Sequence, residues 1–219
     1  MVIFDPNWGP VSDSPEQKAW RTWVEEVTNP LVEELRANSI KISHINQLDK
    51  DDFPINHRAA EIILNWLEKF ESKEIILTIL RAVDHCKTQV DGSRLIEKYQ
   101  ATVDKSIRWK ITDTVSRNRP LGMEKWLTET LSNRCLTIQE REGLFQAAPY
   151  ILHVEEAIDL LIAHYHDESI GGQTAVDSAS KGLALCNSQR ALEFLMNEEL
   201  LQPSKKNSER NKAIRKLKQ

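Results

Sequence analysis

Glycine and proline are scarce in this chain: seven and eight among 219 residues. Hairpin-rich folds spend these residues on their turns, so their scarcity disfavours a strand-built domain. The cysteines number three (Cys86, Cys135 and Cys186), are widely spaced and odd in count. That pattern excludes a disulfide framework and a CxxC metal site. Each cysteine falls near the expected end of a helix, and all three read as buried free thiols in a reducing cytosol. No run approaches the roughly 18 apolar residues that a membrane-spanning helix requires, and the opening Met1-Val2-Ile3-Phe4-Asp5-Pro6 has no basic n-region. A soluble, cytoplasmic protein without membrane contact is the expectation. GxSxG, HExxH, P-loop and GxGxxG motifs are absent, so no cofactor is expected.

With 40% hydrophobic and 28% charged residues, the composition is that of an ordinary globular protein. The net charge of −4 is unevenly spread. Residues 203–219 hold seven Lys or Arg against one Glu, which leaves −10 on residues 1–202. An acidic body is unsuited to tracking a phosphate backbone, so nucleic acid is expected only through the basic tail.

Asp5 to Pro10 is turn chemistry. Ser14 followed by Pro15 then reads as an N-cap with proline at the first helical position. Trp20, Trp23, Val24, Val27, Leu31 and Leu35 follow at helical spacing, which predicts a helix to about Ala37, bent before Pro30. Ser39 to Ile45 alternates as a short extended segment or loop would, and Asp49 to Phe53 reads as a polar linker. Residues 1–53 are thus an irregular segment, a helix and a linker, and residues 54–219 a helical repeat region. Helices are expected at about 56–70, 73–86, 92–102, 104–117, 121–133, 137–149, 153–165, 172–186, 188–200 and 207–218. Trp126-Leu127, Leu160-Leu161 and Phe194-Leu195 recur 34 residues apart, each at the centre of a pair's second helix. Leu95-Ile96 and Trp66-Leu67 take equivalent places at shorter intervals. A single helix pair cannot bury both of its apolar faces, and stacking copies solves that problem.

Asp104-Lys105-Ser106-Ile107-Arg108-Trp109-Lys110-Ile111 resembles the first helix of a HEAT repeat, with an acidic cap, a branched core residue and an arginine. Ala59 to Leu67, then Ile75 to Val83 with Arg81-Ala82, is similar to a group of bacterial HEAT-repeat-domain proteins of unassigned function. The resemblance covers most of residues 15–218. It implies an all-α, right-handed α-solenoid of about five stacked antiparallel helix pairs with an N-terminal helical extension. In such stacks the second helices line the concave side. Glu140-Arg141-Glu142-Gly143 and Gly171-Gly172-Gln173 depart from the HEAT pattern, so the third and fourth pairs rest on period rather than motif.

The polar positions of the second helices are dominated by acids: Glu124 and Glu129, then Glu155, Glu156 and Asp159, then Glu193, Glu198 and Glu199. An acidic groove selects a basic surface by steering and by excluding like charge, so a scaffold-type protein-interaction module is the leading expectation. The alternative rests on Trp109 and Asp113, four apart and therefore on one helix face. The pair resembles the aromatic and carboxylate of HEAT-like alkylpurine DNA glycosylases, which implies ring stacking on a lesion with Arg108, Arg117 and Arg119 near phosphates. His153, His164, His166, Asp167 and Glu168 cluster in sequence, but a helix terminus explains them better than a metal. The tail from Lys205 to Lys218 carries the short apolar face Ala213, Ile214 and Leu217, and is expected to cap the last hydrophobic edge.

Overall fold

A computed structural model describes residues 14–49, 55–86, 89–165, 173–201 and 208–219. The expected turn at Asp5 to Pro10, most of the Asp49 to Phe53 linker, His166 to Glu168 and Gly171-Gly172 lie outside them. Among the described residues the chain is all-α, with no strand beyond one isolated bridge. The helices are α1 (Pro15–Ala37), α2 (His57–Trp66), α3 (Lys73–Asp84), α4 (Ser93–Ala101), α5 (Lys105–Asn118) and α6 (Glu124–Ser132). They continue as α7 (Ile138–Ile151), α8 (Val154–Tyr165), α9 (Gln173–Leu185), α10 (Gln189–Leu201) and α11 (Ser208–Leu217). Short 3₁₀ turns occupy Ile45–Asp49 and Leu67–Lys69.

The starts follow from local chemistry. Ser14 accepts from the Gln17 amide ahead of Pro15, Asn56 accepts from Ala59, and Asp104 accepts from Ser106 and Ile107. At α7, Thr137 and Glu140 close a reciprocal capping box. Helix α1 runs on through Pro30 to Ala37 and buries Val24, Leu31, Val32 and Leu35. Beyond it Ser39 takes a left-handed backbone, φ 65°, and turns the chain. The Ile40 to Ile45 stretch forms no strand, yet Ile40, Ile42 and Ile45 are all buried. Arg36 holds this passage by donating to the carbonyls of Ile42 (2.7 Å) and Ser43 (2.9 Å).

The odd-numbered helices pack in an unbroken series, α3 on α5, α5 on α7, α7 on α9 and α9 on α11, and the Ile45–Asp49 turn covers α3. The even-numbered helices α4, α6, α8 and α10 pack chiefly on their odd-numbered neighbours, and edge-to-face aromatic pairs also join α4 to α6 (Tyr99 and Trp126, 5.1 Å) and α8 to α10 (Tyr165 and Phe194, 5.0 Å). One contiguous core from Val24 to Ile214 fills the space between the two rows. Leu127, Leu161 and Leu195, the three residues of the 34-residue period, are each fully buried at 0% exposure.

The turn between α3 and α4 is joined to the turn between α5 and α6. The Val90 carbonyl accepts from the Leu121 amide (2.9 Å), and the Gly92 amide donates to the Leu121 carbonyl (3.0 Å). Asn118 is buried, donates to the Cys86 carbonyl (3.2 Å) beyond the end of α3, and accepts from the Val90 amide. Arginines near the starts of odd helices reach the carbonyls that end the preceding even helix. Arg108 donates to Thr102 (2.9 Å), Arg141 to Leu131 (2.6 Å) and Arg210 to Glu198 (3.2 Å). Arg141 and Arg210 are buried, at 0% and 4% exposure. The final carbonyls of a helix are its unsatisfied acceptors, and a guanidinium meets them with hydrogen bonds and favourable charge.

Candidate binding surfaces

The two rows give the molecule two unlike faces. On the even row, Glu124 and Glu129 of α6, Glu155, Glu156 and Asp159 of α8, and Glu193 of α10 are all exposed. Cations pair with some of these acids. Arg190 of α10 donates to Glu155 (2.8 Å) and forms a second ion pair with Asp159, so it ties α10 to α8. Lys125 lies 3.8 Å from Glu129. Glu193 accepts from the Gln189 amide at 3.0 Å. Glu124 and Glu156 stand at the exposed first turns of their helices, where carboxylates suit the positive end of the helix dipole. Glu198, grouped with these acids by sequence, is turned inward and only 8% exposed.

On the odd row, contacts fix the rotation of α5. Lys110, Thr114 and Asn118 face α3, as their bonds to Asp84, Leu80 and Val83 require. Thr112 and Arg119 face α7, against Gly143 and Tyr150 respectively. Trp109 and Asp113 occupy the remaining outward stripe, which places the two on one open face. Trp109 is 42% exposed and is not a core residue. Asp113 accepts from Lys110 (2.7 Å) and Arg117 (3.1 Å), so each of its oxygens has a cationic donor. Lys110 also pairs with Asp84 at 2.5 Å. Burial holds the Asp84 carboxyl above its ordinary range despite the adjacent ammonium. Arg119 lies over the Tyr150 ring, 3.4 Å from its centroid, a cation–π contact between α5 and α7.

The thiols differ from the expectation of three buried cysteines. Cys86 and Cys186 are buried, but Cys135 is exposed in the turn after α6, where Asn133 caps its amide. Burial, with a smaller contribution from Glu155, pushes the Cys186 thiol up to about 11. His164 is 7% exposed and packs edge-on to Phe145, whereas His153 is exposed. Among the described residues no three His, Cys, Asp or Glu side chains converge as a metal site would need, and no helix is long and apolar enough to cross a membrane.

The backbone contact at Gly143 and the buried Arg141 and Arg210 escaped the sequence reading. Their signal was present as a glycine inside an apolar helix and an arginine about one turn into α7 and α11, but neither type announces burial. No family model, curated protein or solved structure matches the chain.

Proposed function

We propose that the chain is a HEAT-like α-solenoid of about five helix pairs that acts as a protein-interaction module in the cytoplasm. Its even-numbered row would bind a partner with a basic surface. The unbroken odd row and the 34-residue register of Leu127, Leu161 and Leu195 support the repeat reading. In a curved stack the more tightly packed row takes the shorter arc. Backbone contact along the odd row therefore supports an acidic row on the outer arc, a placement that differs from the concave one the family resemblance implies. Packing of α11 on α9 and α10, with Ala213 and Ile214 buried, supports the terminal helix as a cap.

The observation that carries the functional reading is the row of exposed carboxylates Glu124, Glu129, Glu155, Glu156, Asp159 and Glu193 on three successive even helices. Such a row raises the local concentration of a cationic surface and repels an anionic one. Titration calorimetry with a short polylysine peptide tests it. Replacing Glu124, Glu156 and Glu193 by Lys reverses one charge per helix and leaves the Arg190 link intact. Weaker binding by that variant supports the reading, and unchanged affinity removes it.

A second reading is carried by the shared outward face of Trp109 and Asp113, which has the placement a base-stacking glycosylase pair needs. It predicts base release from alkylated duplex DNA and loss of that release in Asp113→Asn. The prior engagement of both Asp113 oxygens by Lys110 and Arg117 weighs against it.

A further inference from the structure

We propose that the hollow between α7, α9 and α11 binds a phosphate monoester that carries a compact apolar group. The hollow has a volume of about 250 Å³ and is lined by residues of odd-numbered helices alone, with none of the exposed acids of α6, α8 and α10 in its wall. Its walls bring together Lys181 of α9 with Lys212 and Lys216 of α11. Lys212 and Lys216 are four apart and so project from one side of α11. The floor is apolar: Ala184 and Ala213 are buried and Leu185 closes one side. Gln146 of α7 supplies an amide at the rim.

The charge balance is what selects an anion. Three ammonium groups meet a single carboxylate, Glu209, which accepts from Lys212 at 2.7 Å. That hydrogen bond holds Glu209 below the ordinary carboxylate range, and the field of Lys181 adds to it, so Lys181 acts on the same spot. Among the described residues, Lys181 and Lys216 have no carboxylate within ion-pair distance. Three ammonium groups against one carboxylate leave the hollow with a net positive charge that favours an anion.

A phosphate monoester carries close to two negative charges at neutral pH and offers three strong acceptor oxygens. Lysine ammonium groups bind it as compact point charges, without the planar match that arginine demands. The alanine and leucine floor favours an ester with an apolar substituent over the bare ion. A nucleic-acid strand fits less well, because it needs a continuous basic track and the half-buried acids Glu142 and Asp177 lie on the same helices, α7 and α9. The terminal basic helix thus has a chemical use beyond covering the end of the stack.

The test is calorimetric titration of the full chain at fixed ionic strength with inorganic phosphate, phenyl phosphate and a thymidine oligonucleotide. Phosphate and phenyl phosphate are expected to saturate one site, with phenyl phosphate the tighter. Lys181→Gln is expected to weaken both by about tenfold, the usual scale for losing one charged hydrogen-bond partner. Glu209→Gln is expected to strengthen both, because it removes the competing carboxylate. A general loss of structure cannot produce opposite signs in the two variants. Absence of saturable binding, equal affinity for phosphate and phenyl phosphate, or no weakening in Lys181→Gln would overturn the proposal. Oligonucleotide binding without phenyl phosphate binding would also overturn it, in favour of a phosphodiester ligand.

Discussion

Gly143 of α7 lies against the Thr112 carbonyl of α5 so closely that a β-carbon on it would stand 2.1 Å from that oxygen. The same β-carbon would be 2.7 Å from the Asp113 amide nitrogen, so the obstacle is backbone and cannot rotate away. Gly182 repeats the device one step on, with its β-carbon position 2.3 Å from the Phe145 carbonyl of α7. Two mid-helix glycines, each costing about 1 kcal/mol of helix propensity, are offset by helices that touch along their backbones.

The first prediction concerns that contact. Gly143→Ala is expected to destabilise the fold by about 3 kcal/mol in urea denaturation, at the upper end for overpacking a rigid site. Gly122→Ala is the comparison, because Gly122 has φ +73° and open space around it. It is expected to cost only about 1 kcal/mol, from backbone strain alone. Equal costs would show that Gly143 does not set the α5 to α7 spacing.

The buried arginines give a graded series. Arg141→Ala removes the donor to the Leu131 carbonyl and leaves a large void at a site of 0% exposure, for an expected loss of about 3 kcal/mol. Arg108, with its side chain 20% exposed and paired to Glu140 at 3.0 Å, is expected to lose about 1 kcal/mol less on the same change. Thermal unfolding of the two variants reads the difference. A larger loss at Arg108 would mean that the capping role of Arg141 is incidental.

The legibility of this chain follows from which physical signals survive in one dimension. Helix positions were readable because apolar spacing, Ser14-Pro15 and Asp104 act within a few residues. The 34-residue spacing was readable because Leu127, Leu161 and Leu195 all face the core. Arg108 was recognised inside its motif, whereas Arg141 and Arg210 perform the same act in sequences that look unlike it. Their role depends on where the preceding helix ends, which is a tertiary fact. The acidic positions were legible as a pattern, but Arg190 sits 31 residues from Asp159, and Glu198 turns inward because of packing no spacing rule contains. The hollow at Lys181 joins side chains from separate helices, and periodicity carries no trace of it.

The thiols are expected to react in a fixed order. Cys135 should be labelled by a soluble alkylating reagent in the folded protein, at the rate of an accessible thiol. Cys186 should stay unlabelled until unfolding, because burial both shields it and raises it to about 11, which suppresses the thiolate at neutral pH. Mass spectrometry of briefly treated protein distinguishes them. Early modification of Cys186 would contradict its buried placement at the end of α9.

The acidic row is tested most directly by the rate at which a short polylysine peptide associates with the full chain as salt is varied. Exposed charges steer encounter and are screened beyond about 10 Å at 0.1 M ionic strength. The wild-type association rate is expected to fall steeply as salt rises. The variant with Lys at Glu124, Glu156 and Glu193 is expected to associate about tenfold more slowly at low salt, with little further salt dependence. Its stability should stay within about 0.5 kcal/mol of the wild type, as befits exposed positions. Equal rates and equal salt slopes in the two proteins would contradict the account and leave the carboxylate row a solvated face.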